Sequence, residues 1–225
     1  MTAAQLPEGA SPRTHRAAQW VGRTLLRLPY RVRVQHAERI PSAGPVVLVA
    51  NHSSLLDGPL LFGMLRRPGV FLVKQEMFRG PVGWFLRRIG QLGVRRGEPD
   101  RTPLLTAVRL LRNGGLVCVF PEGTRDGGGE VVDAQHGAAW LARSSKAQVL
   151  PVVCRGTRRP EGVGRRLLPR VDVLFGEPFE LGGGKGRAGL EQATQQVRTE
   201  LVELIAELDR QIADRADDDR RGKRA

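Results

Sequence analysis

Short, continuously apolar runs recur along the chain, and each stops abruptly at polar residues. PVVLVA (45–50), VFLV (70–73), LVCVF (116–120), QVLPVVC (148–154) and VDVLF (171–175) are rich in Val and short. That pattern predicts strands buried on both faces. Between them, apolar positions fall at helical spacing. DGPLLFGMLRR (57–67), PVGWFLRRIG (81–90) and GAAWLARSS (137–145) predict helices. Another starts at Thr102, with Pro103 in its first turn, and stops at Asn113-Gly114. Leu190, Val197, Leu201, Leu204, Leu208 and Ile212 mark a closing helix. Strands alternating with helices predict an α/β domain: a central mixed, largely parallel sheet flanked by helices.

The ends differ from the middle. Residues 1–12 carry Pro7, Gly9 and Pro12 and are expected to be a flexible tail. Residues 13–40 are assigned to an N-terminal amphipathic helical segment, with Ala17, Val21, Leu25 and Leu28 on one stripe and Arg13, Arg16, Arg23 and Arg27 around it. A basic helix with a Trp can lie in a membrane interface or pack on the domain. The α/β domain is expected over 41–214, and the charged residues 215–225 are expected to be disordered.

The net charge is +13, almost all of it from Arg. Such a surface suits an anionic membrane, nucleic acid, or an acidic or phosphorylated partner. Nucleic acid is not expected: aromatics are only 5% of the chain, and no helix-turn-helix, RNP motif or base-stacking platform is evident. No stretch has the roughly 18–20 consecutive apolar residues of a spanning helix, and no apolar leader is evident. Cys118 and Cys154 sit in apolar runs and are expected to be buried thiols on neighbouring strands. Neither joins a cluster with zinc-site spacing, and no metal is expected.

In a largely parallel sheet, sites form beyond the carboxyl ends of the strands. Two such loops carry chemistry. The first, NHSSLLD (51–57), holds His52 and Asp57. On one helix, residues five apart point about 140° away from each other. They can pair only if His52 precedes the helix and Asp57 lies in its first turn, a start that Ser53 and Ser54 suit. The plain alternative is a loop histidine beside a helix-N-terminal Asp. No G-x-S-x-G elbow marks a serine nucleophile, so a His–Asp pair would act on a substrate hydroxyl. The second loop follows LVCVF and reads PEGTRD: a salt-bridged turn, or an anion site.

Together, NHSSLLD (51–57) and FPEGTR (120–125) resemble the glycerolipid acyltransferase family, whose hallmark is H-x-x-x-x-D followed downstream by F-P-E-G-T-R. IGQLGVRRG (89–97), ending at Arg96, is similar to the family's second block, and VLPVVCRG (149–156), around Pro151, to its fourth. The likeness spans roughly residues 40–180. It implies transfer of a fatty acyl group from a thioester to a glycerol hydroxyl, with 1-acylglycerol-3-phosphate as the leading acceptor. Glycerol-3-phosphate or another lysolipid is the runner-up, and a non-catalytic basic module the alternative of another class. The resemblance implies His52 as base and Asp57 as its orienting partner. It implies phosphate binding by Arg125, with Gly123 permitting close approach, Arg96 second and Lys74 third. Glu122 would hold a cation or accept from the glycerol hydroxyl. Pro151 would shape the acyl or oxyanion region. No cofactor is implied beyond the thioester co-substrate, acyl-CoA or acyl carrier protein. Peripheral attachment at the cytoplasmic face of the plasma membrane is expected. His15, His36 and His136 belong to no motif and are taken as incidental.

Overall fold

A computed structural model describes residues 6–25, 27–95, 102–121, 130–158, 168–184 and 186–222. Six helices and seven strands are described: α1 (Pro12–Leu25), β1 (Arg31–Gln35), β2 (Val46–Ala50), α2 (Asp57–Met64), β3 (Gly69–Lys74), α3 (Gly80–Arg88), β4 (Leu92–Val94), α4 (Thr102–Arg112), β5 (Leu116–Val119), α5 (Glu130–Ser145), β6 (Gln148–Arg155), β7 (Arg170–Phe175) and α6 (Gly186–Gly222). One sheet takes the order β1-β7-β6-β2-β5-β3-β4. Every neighbouring pair is parallel except β6 and β7. The five apolar runs are strands and the fold is α/β, as their pattern predicts.

Strand side chains alternate between two cores. Val46, Leu48 and Ala50 of β2 join one with α2, Phe71 and Ile89. Val47 and Val49 join the other, which α4, α5 and α6 cover. Central strands covered on both faces explain why the runs are continuously apolar.

Several expectations change. The segment 13–40 is helical only to Leu25; β1 follows, with Arg31 and Arg33 outward and Val32 and Val34 packed inward. The tail 1–12 is anchored from Leu6, which packs against Val70 and Leu110. The charged end 215–225 is helical through Gly222, because Arg215 donates to the Gln211 carbonyl and to Asp172 on β7. Both cysteines are free and buried, and burial pushes both thiols up. They are not on neighbouring strands: β2 lies between β5 and β6, and Cys118 is level with Leu150, so Cys154 lies two strands across and four residues farther along.

His15 is not incidental. It is fully buried on α1, and its Nδ1 donates to the Ile89 carbonyl at 2.6 Å. Farther along α1, Gln19 donates to the carbonyls of Phe62 and Arg67, and Arg23 to those of Gly63 and Leu65. Those of Phe62, Gly63 and Leu65 are carbonyls that the end of a helix leaves without partners. Thus α1 caps α2 from outside, and it comes close because Gly63 has no side chain: a Cβ there would meet the Arg23 backbone nitrogen at 2.7 Å.

Candidate active site

β2 is the central strand, and the chain beyond it lies at the rim where β5, β3 and β6 also end. The first residue past β2 is Asn51, which is buried. Its Nδ2 donates to the Cys154 carbonyl at 3.0 Å, and its Oδ1 accepts from the Cys154 N–H at 2.7 Å. The side-chain amide thus stands in for one more step of the β2–β6 ladder. The main chain is released from pairing and can turn.

In that turn, the Asp57 carboxylate collects donors. Its Oδ2 accepts from the backbone N–H groups of Ser53 and Ser54, each at 2.7 Å. Oδ1 accepts from the Thr157 hydroxyl at 2.5 Å. The Ser53 hydroxyl lies 3.2 Å from that of Thr157. Asp57 opens α2 and is wholly buried, where the helix N-terminus favours its charge. Burial acts to raise its pKa. The hydrogen bonds from His52, Thr157 and the backbone of Ser54 and Ser53 outweigh burial and hold the carboxyl below its ordinary value.

His52 sits before the helix and Asp57 in its first turn, the one arrangement in which residues five apart can pair. Nδ1 of His52 is 3.4 Å from Oδ2 of Asp57. With Nδ1 turned to the carboxylate, Nε2 faces outward. The His52 side chain keeps 25% of its exposure, so a substrate can reach it. A contact of this length is typical of an unliganded site.

The His52 ring also stacks on Phe120, with centroids 4.4 Å apart and planes at 28°. Phe120 follows β5 directly and is the first residue of FPEGTR. The two loops that carry the sequence motifs therefore meet at the imidazole. Glu122, Gly123, Arg125 and Arg96 lie outside the described residues, as does most of the basic stretch 158–170. Lys74 ends β3 on the same rim, exposed, about 10 Å across the sheet from β2. Pro151 is not at the rim. It pairs with Val49 inside the sheet, about 10 Å below the loop, and its carbonyl accepts from Gly176 at 2.9 Å. Its ring abuts Gly176, where a Cβ would lie 2.7 Å from Pro151 Cγ. That contact packs the end of β7 against β6.

Residues 31–155 match the family model described as Acyltransferase. The chain belongs to the acyltransferase family. This acyltransferase is similar to the 1-acyl-sn-glycerol-3-phosphate acyltransferase of Bacillus subtilis, with 27% identity over 192 residues, covering 83% of this chain and 94% of that one. It is also 27% identical to the protein of the same description from Streptococcus pneumoniae, covering 76% of this chain and 65% of the other. The crystal structure of the 1-acyl-sn-glycerophosphate (LPA) acyltransferase PlsC from Thermotoga maritima superposes with a TM-score of 0.66 at 29% identity, covering 87% of this chain and 79% of that chain.

Two participants stand inside the sequence motifs with roles the motifs do not reveal, Asn51 and Phe120, and one lies outside them, Thr157. The signal for Thr157 was available, since it is a polar residue just past the carboxyl end of a predicted strand.

Proposed function

We propose that this acyltransferase moves a fatty acyl group from a thioester to the free hydroxyl of a 1-acylglycerol-3-phosphate, giving phosphatidic acid. The observation that carries the reading is the His52–Asp57 pair, stacked on Phe120 at the head of FPEGTR. The names of the similar proteins supply the acceptor.

In this reading, Nε2 of His52 takes the proton from the acceptor hydroxyl as its oxygen attacks the thioester carbonyl. The carboxylate of Asp57 stabilises the imidazolium that forms. The tetrahedral intermediate collapses with loss of the thiolate, which takes the proton back from His52. No side chain is acylated. Arg125 binds the acceptor phosphate, with Gly123 allowing close approach, Glu122 holding a cation or the glycerol hydroxyl, and Arg96 and Lys74 adding positive charge. Acyl-CoA and acyl carrier protein are the two candidate donors.

We infer peripheral attachment to an anionic bilayer. Among the described residues no helix is long and apolar enough to cross a membrane. Two helices on one face of the sheet nevertheless expose large apolar side chains: Trp20 and Leu25 on α1, Val82, Trp84 and Phe85 on α3. Arginines flank both. An apolar stripe with a cationic border suits the boundary between headgroups and acyl chains, which is where a lysolipid acceptor resides.

The test pairs the purified protein with acyl-CoA or acyl carrier protein and offers lysophosphatidate, glycerol-3-phosphate or monoacylglycerol, with the product identified by mass spectrometry. Phosphatidic acid is expected. Arg125→Ala should raise KM for lysophosphatidate about 10- to 100-fold, the loss of a hydrogen-bonded charge. Preference for monoacylglycerol would remove the phosphate role of Arg125.

A further inference from the structure

We propose that Thr157 is a positioning residue for the reaction, holding the Asp57 carboxylate at the angle that serves His52. This rests on the acyltransferase reading above.

The two oxygens of Asp57 are gripped from different directions. Oδ2 faces His52 and takes the N–H groups of Ser53 and Ser54, neighbours in the same turn. Those contacts pivot with the turn and do not stop the carboxylate from rotating about them. Oδ1 is held from across the molecule by the Thr157 hydroxyl, the one donor to that oxygen among the described residues. Asp57 has no exposed surface and Thr157 is almost fully buried, so a lost hydroxyl leaves a buried carboxylate oxygen without a partner.

Thr157 is itself firmly set. It follows Gly156, whose φ of 85° belongs to the left-handed region and whose Cβ would fall 2.1 Å from the Arg170 carbonyl oxygen. Only glycine suits that crossing of the β6 end over β7. The same strand end grips the loop a second time, through the Cys154 backbone and Asn51. His52 thus lies between two residues anchored at the end of β6 and just past it: Asn51 before it in sequence and Asp57 after it. A carboxylate that must orient an imidazole in one tautomer needs its own orientation fixed, and partners of this kind commonly contribute 10- to 100-fold where they have been removed from metal-bound histidines.

The experiment compares Thr157→Val, which keeps the shape and removes the donor, with Thr157→Ser, which keeps the donor. In acyl-CoA to lysophosphatidate transfer, T157V should lower kcat about 10- to 100-fold with KM nearly unchanged, while T157S stays within a few-fold of the native protein. The acid limb of the kcat–pH profile should move to higher pH in T157V, because a carboxylate with one donor fewer is more basic. Among the described residues, the titratable groups facing Asp57 are His52 and the Cys154 thiol, which burial keeps protonated.

A second series needs no substrate. Thermal melts against pH should show a smaller acid-side loss of stability in T157V than in the native protein, because the loss starts at the same unfolded carboxylate value and is complete at a higher folded one. If T157V does not fold, Thr157→Cys, a weaker donor of similar size, replaces it and should show the same shifts in smaller measure. Native kcat and pH profile in T157V would overturn the proposal. So would equal impairment of T157S and T157V, which would mark a packing role. Absence of transfer by the native protein would instead overturn the functional reading, and the melts would still decide the hydrogen bond.

Discussion

Asn51 both donates and accepts against one backbone residue, and that double role lets the main chain leave the sheet at the end of β2 and present His52. Asn51→Asp would turn the donor into a second acceptor facing the Cys154 carbonyl. It should cost about 1–3 kcal/mol, measured by denaturant unfolding, through an unsatisfied buried group. His15 gives a second expectation at this scale. Burial lowers its pKa more than the bond to Ile89 raises it. The native state therefore resists a proton that the unfolded chain accepts. The stability His15 contributes is present above about pH 6.5, its unfolded value, and is lost as pH falls toward its folded value. Thermal melts should decline over that window, and His15→Gln, which can still donate to Ile89, should flatten the decline. His52 and Asp57 were legible as a pair because five-residue spacing across a strand end has only one paired solution. Thr157 stands just past a strand end, but its partner was not legible, because the contact joins residues 100 apart.

The elements show the same division between local and distant causes. Buried central strands were legible because both faces must be apolar. β1 falls within the expected N-terminal helical segment although RVRVQ alternates; its arginines mark an edge strand, where charge discourages pairing with another chain. β4 has three residues, too few for any period, and exists through its pairing with β3. The docking of α1 on α2 could not be read from α1 alone, since it depends on Gly63. Gly63→Ala would press a methyl against the Arg23 backbone. Such overpacking should cost about 1–3 kcal/mol, seen as a lower melting temperature.

Across the whole molecule, the helices divide by face. α4, α5 and α6 cover one core, while α1 and α3 carry the exposed tryptophans and flanking arginines on the other side. Binding to vesicles should rise with anionic lipid content and weaken with salt. Trp84→Ala should reduce co-sedimentation several-fold while leaving the fold intact, since Trp84 is mostly exposed. The central claim is narrower: one imidazole, held by one buried carboxylate, activates the acceptor hydroxyl. The most direct measurement is the rate of phosphatidic acid formation from acyl-CoA and lysophosphatidate by His52→Ala beside the native protein, with both shown to be folded by their melts. The account predicts turnover by the native protein and a loss of at least about a hundredfold in the variant, the lower range for removing a general base. A folded His52→Ala that keeps native turnover would contradict it.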